Sequence, residues 1–193
     1  MIYENKFILN LFFITATFFI CSCEEPEWET RKYGEESISI ETPYELEYNS
    51  HTPLLSGEGQ KNFLVYKIYD FENKWLNLTL VVMKYDSSNI TNDKIEKMNG
   101  LNSGLLNECV NKVVTSQSDL IVEAAINDSI IIDGIKWKHV VKLVSLDGNF
   151  KRKISGISCL KNYTQIAIVI TNWDDIDSNE LENRLFESAR IIN

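Results

Sequence analysis

The chain has 193 residues, 28 acidic against 19 basic, for a net charge of −9. That length gives one domain's worth of chain, enough to bury a sizeable core. The acidic balance argues against general nucleic-acid binding, and beyond the N-terminal Cys21 and Cys23 only Cys109 and Cys159 remain, one pair and no disulfide framework.

From Phe7 to Ile20 the sequence reads FILNLFFITATFFI, with one amide and no charge. A run of that length suits the apolar region of a secretory signal, and it falls short of the roughly twenty residues of a spanning helix. The next four residues, Ile20-Cys21-Ser22-Cys23, resemble the lipobox of bacterial lipoproteins: an aliphatic residue, a variable one, a small one, then the lipid-bearing cysteine. Only Cys23 fits, because Cys21 would follow the bulky Ile20. The resemblance implies a diacylglycerol (palmitate-type) anchor on Cys23 and cleavage after Ser22. It also implies a place in the bacterial cell envelope, at the outer membrane, facing periplasm or surface. An ordinary signal peptide and a single-pass anchor are the alternatives. Two or three acyl chains hold a protein firmly where one holds it marginally. Glu24, Glu25, Glu27 and Glu29 then keep the following chain in water, and they resemble the acidic export signal of some surface lipoproteins.

Residues 1–22 are thus read as signal peptide, 23–36 as lipidated cysteine and acidic tether, and 37–193 as a single domain. The tether EEPEWETRKYGEE reaches about 20 Å as a flexible chain. A first strand is expected at Ser37–Glu41, and a loop over Ser50–Asn62, where Pro, Gly and polar residues concentrate. Phe63–Asp70 and Leu76–Lys84 read as strands. In the second, Leu76, Leu78, Leu80 and Val82 share one face while Val81 and Met83 lie on the other, so its far end is covered on both sides.

A helix is expected over Thr91–Val114, where Ile95, Met98, Leu101, Leu105, Leu106, Cys109, Val110 and Val113 form one apolar stripe. Leu120–Ile126 and Ser129–Ile132 read as short strands around Asn127-Asp128. Asp133-Gly134 and Asp147-Gly148 are two-residue hairpin signals, with Lys161-Asn162 a weaker one. They separate strands at Ile135–Leu146, Phe150–Leu160 and Tyr163–Ile170. A closing helix of about Asn179–Ala189, capped by Asp177 or Ser178, turns Leu181, Leu185, Phe186 and Ala189 inward. This order gives an α+β domain, a mainly antiparallel sheet with helices packed on it. The stretches ISIETPYEL (38–46), IIIDGIKW (130–137) and LFESARII (185–192) resemble the Mog1/PsbP-like fold, an α/β/α sandwich common among secreted bacterial lipoproteins. That resemblance implies partner binding or assistance to assemblies, and it carries no catalytic residue.

No catalytic, cofactor or metal motif emerges. His51 lies in a loop. His139 shares a strand face with Trp137, Val141 and Leu143, so all four are expected in the core. The zincin His pair, a metal-binding Cys-x-x-Cys in the mature chain and a nucleophile elbow are missing, and Gly57-Glu-Gly59 leads into a strand rather than a phosphate-binding helix. Asp175-Ile-Asp177-Ser-Asn179 imitates half an EF-hand loop. It has Glu180 where the sharp turn needs glycine and Phe186 where the bidentate glutamate belongs, so helix capping explains it better. Cys109 and Cys159 are either buried thiols or a disulfide pair.

Between Lys136 and Lys161 the basic residues Lys136, Lys138, Lys142, Lys151, Arg152, Lys153 and Lys161 meet a single acid, Asp147. A two-residue turn at Asp147-Gly148 would set Lys142 opposite Lys153 and gather Lys138, Lys142, Lys151 and Lys153 on one face. Such a face guards an edge with lysines, pairs within the chain with its acidic remainder, or docks an anionic envelope component or protein. Two functions follow. The first is a lipid-anchored binding or accessory protein without catalytic activity; the second is an envelope hydrolase whose carboxylates meet only in three dimensions.

Overall fold

The computed structural model describes residues 27–49, 63–73, 76–89, 106, 110, 120–146, 150–172 and 178–192. Among them the order is β1 (Glu29–Tyr33), β2 (Ile38–Thr42), β3 (Glu47–Tyr48), β4 (Phe63–Glu72) and β5 (Leu76–Tyr85). It continues with β6 (Leu120–Ile132), β7 (Ile135–Leu146), β8 (Phe150–Lys161), β9 (Thr164–Asn172), α1 (Ser178–Glu187) and β10 (Arg190–Ile191). Seven strands form one sheet in the order β3-β4-β5-β9-β8-β7-β6, and β1-β2-β10 form a second. Every pairing is antiparallel.

The expected α+β architecture of helices packed on a sheet is overturned. The described chain is 69% strand and 12% helix, a sheet-dominated fold. The cause is local. Val, Ile and Thr favour a pleated surface because their branched side chains are stiff at χ1, and they carry the strands through positions read as breaks. Asn127 and Asp128 sit inside one continuous β6, which absorbs irregularity instead through a bulge between Val122 and Ala124. The helix expected over 91–114 lies outside the described residues except for Leu106 and Val110, both helical and fully buried.

Two cores sandwich the large sheet. On one face Leu78, Leu80, Val82, Trp137, Ile157, Ile166 and Ile168 pack against Ile38 and Ile40 of β2 and Leu185 and Phe186 of α1. On the other, Ile68, Val81, Met83, Val140, Val144, Ile154 and Val169 cluster with Leu106 and Val110. The alternation read from β5 therefore holds, with successive residues feeding different cores. Gly156 is the price of that second contact: a Cβ there would sit 2.8 Å from Leu106 Cδ1 and 3.2 Å from the Ile168 carbonyl oxygen.

Ordered structure begins earlier than expected. Glu29–Tyr33, read as tether, pairs with β2 in register from Glu29↔Thr42 to Tyr33↔Ile38. Tyr33 is buried and its hydroxyl oxygen accepts the Leu46 N–H at 3.2 Å. Tyr33 is the single buried residue of β1, so the strand carries no apolar alternation that would set it apart from the charged residues around it.

The hairpins show how one residue in a turn redirects a strand. Asp133 (φ 51°) and Gly134 (φ 71°) form the expected two-residue turn, with Ile132 opposite Ile135; both left-handed positions suit an Asp-Gly pair. The next hairpin pairs Leu146 with Phe150, so three residues intervene rather than two. In the last, Asn162 and Tyr163 take the left-handed positions and Lys161 faces Thr164, one residue later than expected. The loop Ser50–Asn62, with His51, lies outside the described residues.

Candidate functional site

The three-residue connection after β7 disassembles the expected lysine face. Because side chains alternate along a strand, a slip of one residue moves the partner strand's whole set to the opposite face. Lys142 pairs with Ile154 and Lys138 with Ser158, whereas Lys153 pairs with Leu143 and Lys151 with Ser145. Lys138 and Lys142 therefore lie on the face of the Leu106 cluster, and Lys153 lies on the face of α1. Lys151 shares the register parity of Lys153.

Lys153 is also engaged. Its Nζ donates to Glu182 Oε2 at 2.7 Å and to Asn179 Oδ1 at 2.9 Å, both on α1. Among the described residues Glu182 is the one charged side chain that is buried, and an unpaired carboxylate there would be costly. Asn179, part of the EF-hand imitation, spends its oxygen on this lysine; Asp175 and Asp177 lie outside the described residues. Among the described residues no three His, Cys, Asp or Glu side chains group to hold a metal.

Beside this pair the sheet brings together three residues that the sequence scatters. The Asp128 carboxylate can only accept, so His139 Nδ1 donates to its Oδ1, at 2.8 Å. His139 Nε2 then faces Ser155 Oγ at 3.4 Å, long for a hydrogen bond. The order matches a nucleophile, a base and its orienting acid, but access is lacking. Ser155 is 1% exposed, and the Phe186 ring stands edge-on to His139 with centroids 6.2 Å apart. The array ties β6, β7 and β8 together at the flank of α1. His139 is thus a packed, partnered histidine. Trp137 and Val141 are buried as expected, but Leu143 is 41% exposed.

Leu143 is an exposed position on a face that is otherwise covered along β7, since Val141 and Ser145 on either side of it are buried. The exposure lies on β6: Ile126 is opposite Val141 and Ala124 opposite Leu143, with Ile121 opposite Ser145 past the bulge. Ile121 is 61% and Ile126 53% exposed. On the reverse face Val122 and Ile131 are also exposed. All residues from Ile121 to Ser129 are exposed, and β6 ends the strand order, so its outer edge has no strand partner among the described residues. The opposite edge, β3, is two residues long. An apolar strip bounded by Asp128–His139 and Lys153–Glu182 has the anatomy of an interface, apolar centre and polar rim. The sequence signal was present in LIVEAAINDSIII, which lacks the lysine or proline that usually guards an edge.

A shallow groove of about 750 Å³ runs along the outer side of α1, lined by Glu41, Asn183, Arg184, Glu187 and Arg190 among others. Its two arginines are engaged within the chain. Arg184 Nε donates to Glu41 Oε2 at 3.1 Å, its guanidinium lies 4.3 Å from the Trp28 ring centroid, and Arg190 donates to the Glu187 and Ala189 carbonyl oxygens. Cys159 is a free, fully buried thiol, and burial pushes its pKa up. Cys109 and Cys23 lie outside the described residues.

No protein-family model matches the sequence, and no curated protein matches it. Solved structures do. The cyanobacterial PsbP protein CyanoP of Synechocystis sp. PCC 6803 aligns at 12% identity over 89% of this chain and 98% of its own, with a TM-score of 0.56. LpqN of Mycobacterium tuberculosis, a protein involved in cell envelope biogenesis, aligns at 9% identity over 89% of this chain and 88% of its own, with a TM-score of 0.45. The likeness to CyanoP establishes a PsbP-like fold.

Proposed function

We propose that the chain is a lipid-anchored, non-catalytic binding or accessory protein of the bacterial cell envelope, held at the outer membrane through Cys23, that works by docking a protein partner on its outer hairpin. The observation carrying this reading is the exposed strip of Ile121, Ile126 and Leu143 at β6, which has no second strand partner among the described residues. Large apolar side chains gathered on one open surface favour recognition over solvation. The apolar leader and the Cys23 lipobox support the envelope anchor. The covered Ser155 speaks against acyl transfer at the Asp128–His139–Ser155 array. The PsbP-like fold adds an analogy, since a fold alone does not assign a function.

Because β1 begins at Glu29, the spacer from Cys23 is shorter than a tether ending at residue 36. Five residues separate Cys23 from Glu29, so the anchor holds the domain close to the bilayer. Membrane fractionation with metabolic palmitate labelling tests the anchor. Cys23→Ser is expected to lose label and leave the membrane fraction, while Cys21→Ser keeps both. The reverse pattern, or label on neither cysteine, rejects the anchor.

A further inference from the structure

We propose that the reverse face of the β6–β7 hairpin, the side of the Leu106 cluster, rests on the anionic phospholipid headgroups of the membrane that anchors the chain. The inference adds an orientation to the anchor reading above and makes no use of the strip on the α1 face. Register builds the face. Lys136, Lys138 and Lys142 of β7 lie on that side together with Arg152 of β8, opposite Val144. Four of the seven basic residues between Lys136 and Lys161 therefore share one face. Pairing sets Ile131 beside Lys136 and Ser129 beside Lys138. Ile131 is 78% exposed, and Ser129 and Lys136 are exposed with it. Neither Lys136 nor Lys138 forms an ion pair among the described residues. The hairpin's acids lie elsewhere. Asp128 is on the α1 face, bonded to His139, and Asp133 is in the turn, 4.0 Å from Arg190. Glu123 is in the bulge, far along β6 from Ile131, and interacts within the chain.

Charge names the occupant. With −9 on the chain, an anionic bilayer repels most of the surface and attracts the face where cations concentrate. That asymmetry turns the face toward the membrane. The spacer of five residues between Cys23 and Glu29 keeps the bilayer within reach. One exposed isoleucine among lysines is small for a protein interface, but it suits a headgroup layer. Ile131 enters the acyl boundary while the lysine stems hold their ammonium groups among the phosphates. Each lysine near an anionic surface strengthens attachment by about fivefold, too little for Lys136 and Lys138 to retain the chain alone. Cys23→Ser is therefore still expected to leave the membrane. The face orients an anchored domain, and it turns Ile121, Ile126 and Leu143, on the opposite side of the sheet, away from the bilayer.

Fluorescence of the full-length, lipidated protein reconstituted in vesicles tests the orientation. A polarity-sensitive probe on Ser129→Cys reports the reverse face without removing Ile131 or a lysine. The same probe on Ala124→Cys reports the α1 face, and the parent chain treated with the probe is the blank. In vesicles containing phosphatidylglycerol the Ser129 probe is expected to shift to the blue and to be quenched by a quencher carried on the acyl chains. In pure phosphatidylcholine it is expected to read as in water. It is expected to return to that reading in about 1 M salt, where the Debye length is about 3 Å. The Ala124 probe is expected to stay aqueous throughout. Lys136→Gln with Lys138→Gln is expected to lower the ratio of membrane-facing to free orientations by about thirtyfold. The lipid and salt comparisons use no lysine variant, so they decide the matter even where the double variant folds poorly. Equal Ser129 readings in the two lipids, equal quenching at Ala124, or a folded double variant that behaves as the parent overturns the proposal. Any of these leaves the lysines to an acidic protein or to solvent. The two readings fail separately. Protein retained by neutral vesicles without a probe shift keeps the anchor and loses the orientation. Protein that leaves neutral vesicles, yet shifts its Ser129 probe in anionic ones, loses the anchor and keeps the face.

Discussion

Strands β9 and β6 are made of much the same residues and meet opposite fates. In β9, TQIAIVITN, eight of nine positions are buried; in β6, LIVEAAINDSIII, every residue from Ile121 to Ser129 is exposed. Neither is distinguished by propensity, since both are rich in branched aliphatics. Their difference is position, because β9 sits between β5 and β8 while β6 ends the order. A hydrophobic strand does not choose its burial; the sheet order assigns it. At an edge the same residues stop being core and become surface that another molecule can use.

The sharpest way to break this contrast is within β7, which holds a residue of each regime. Trp137 is fully buried, and Trp137→Ala is expected to lose about 3–5 kcal/mol in denaturant unfolding. Leu143, six residues on and 41% exposed, is expected to lose under about 1 kcal/mol on Leu143→Ala. Equal losses would mean that the outer hairpin is covered in solution. The boundary between the regimes is the Lys153–Glu182 pair. Lys153→Gln leaves Glu182 buried without its cation and is expected to cost about 2 kcal/mol in the same unfolding measurement.

Alkaline pH probes the inner region alone. Tyr85 donates to the buried Gln165 Oε1 at 2.6 Å, and burial pushes its pKa from 10.0 to about 12. A raised folded-state pKa gives stability that is fully present below pH 10 and is lost as pH rises through 12. Between those limits the parent is expected to lose about 1–2 kcal/mol more than Tyr85→Phe, allowing for solvent screening. Parallel pH profiles would place Tyr85 in solvent. The smallest effect is expected at the edge. Ile121→Thr and Ile126→Thr are each expected to shift stability by about 0.5 kcal/mol or less, and a large loss of stability would show that β6 is core.

Much of the inner region was legible because its signals are local. The opposite-facing sets in β5, the Asp133-Gly134 turn and the inward stripe Leu185, Phe186 and Ala189 all follow from short-range geometry. The misses share one cause: they depend on what lies across the sheet. The turn after β7 reads as two residues from Asp147-Gly148, yet the strands close one residue later, and that single residue separates Lys142 from Lys153 by a whole face. Asn127-Asp128 reads as a break because Asp128's partner, His139, is eleven positions away in sequence and next to it only after pairing. Ser155 and Glu182 carried no signal, since both gain their meaning from α1 descending on the sheet. Leu143 was expected to be buried by alternation, which tells which face a residue takes and not how well that face is covered at each position.

Cys159 gives the fold a bearing on the journey that precedes function. For a domain exported as proposed, the compartment it enters is oxidising. The thiolate is the form that reacts, and burial between the layers withholds it. That protection exists only once β2 and α1 have packed onto the sheet face that carries the sulfur. Sheets built from distant pairings such as β5 with β9 close slowly, so the newly arrived chain runs a race between assembly and oxidation. A substitution that merely delays closure would leave its mark as chains trapped in mixed disulfides, with no defect in the chains that finish.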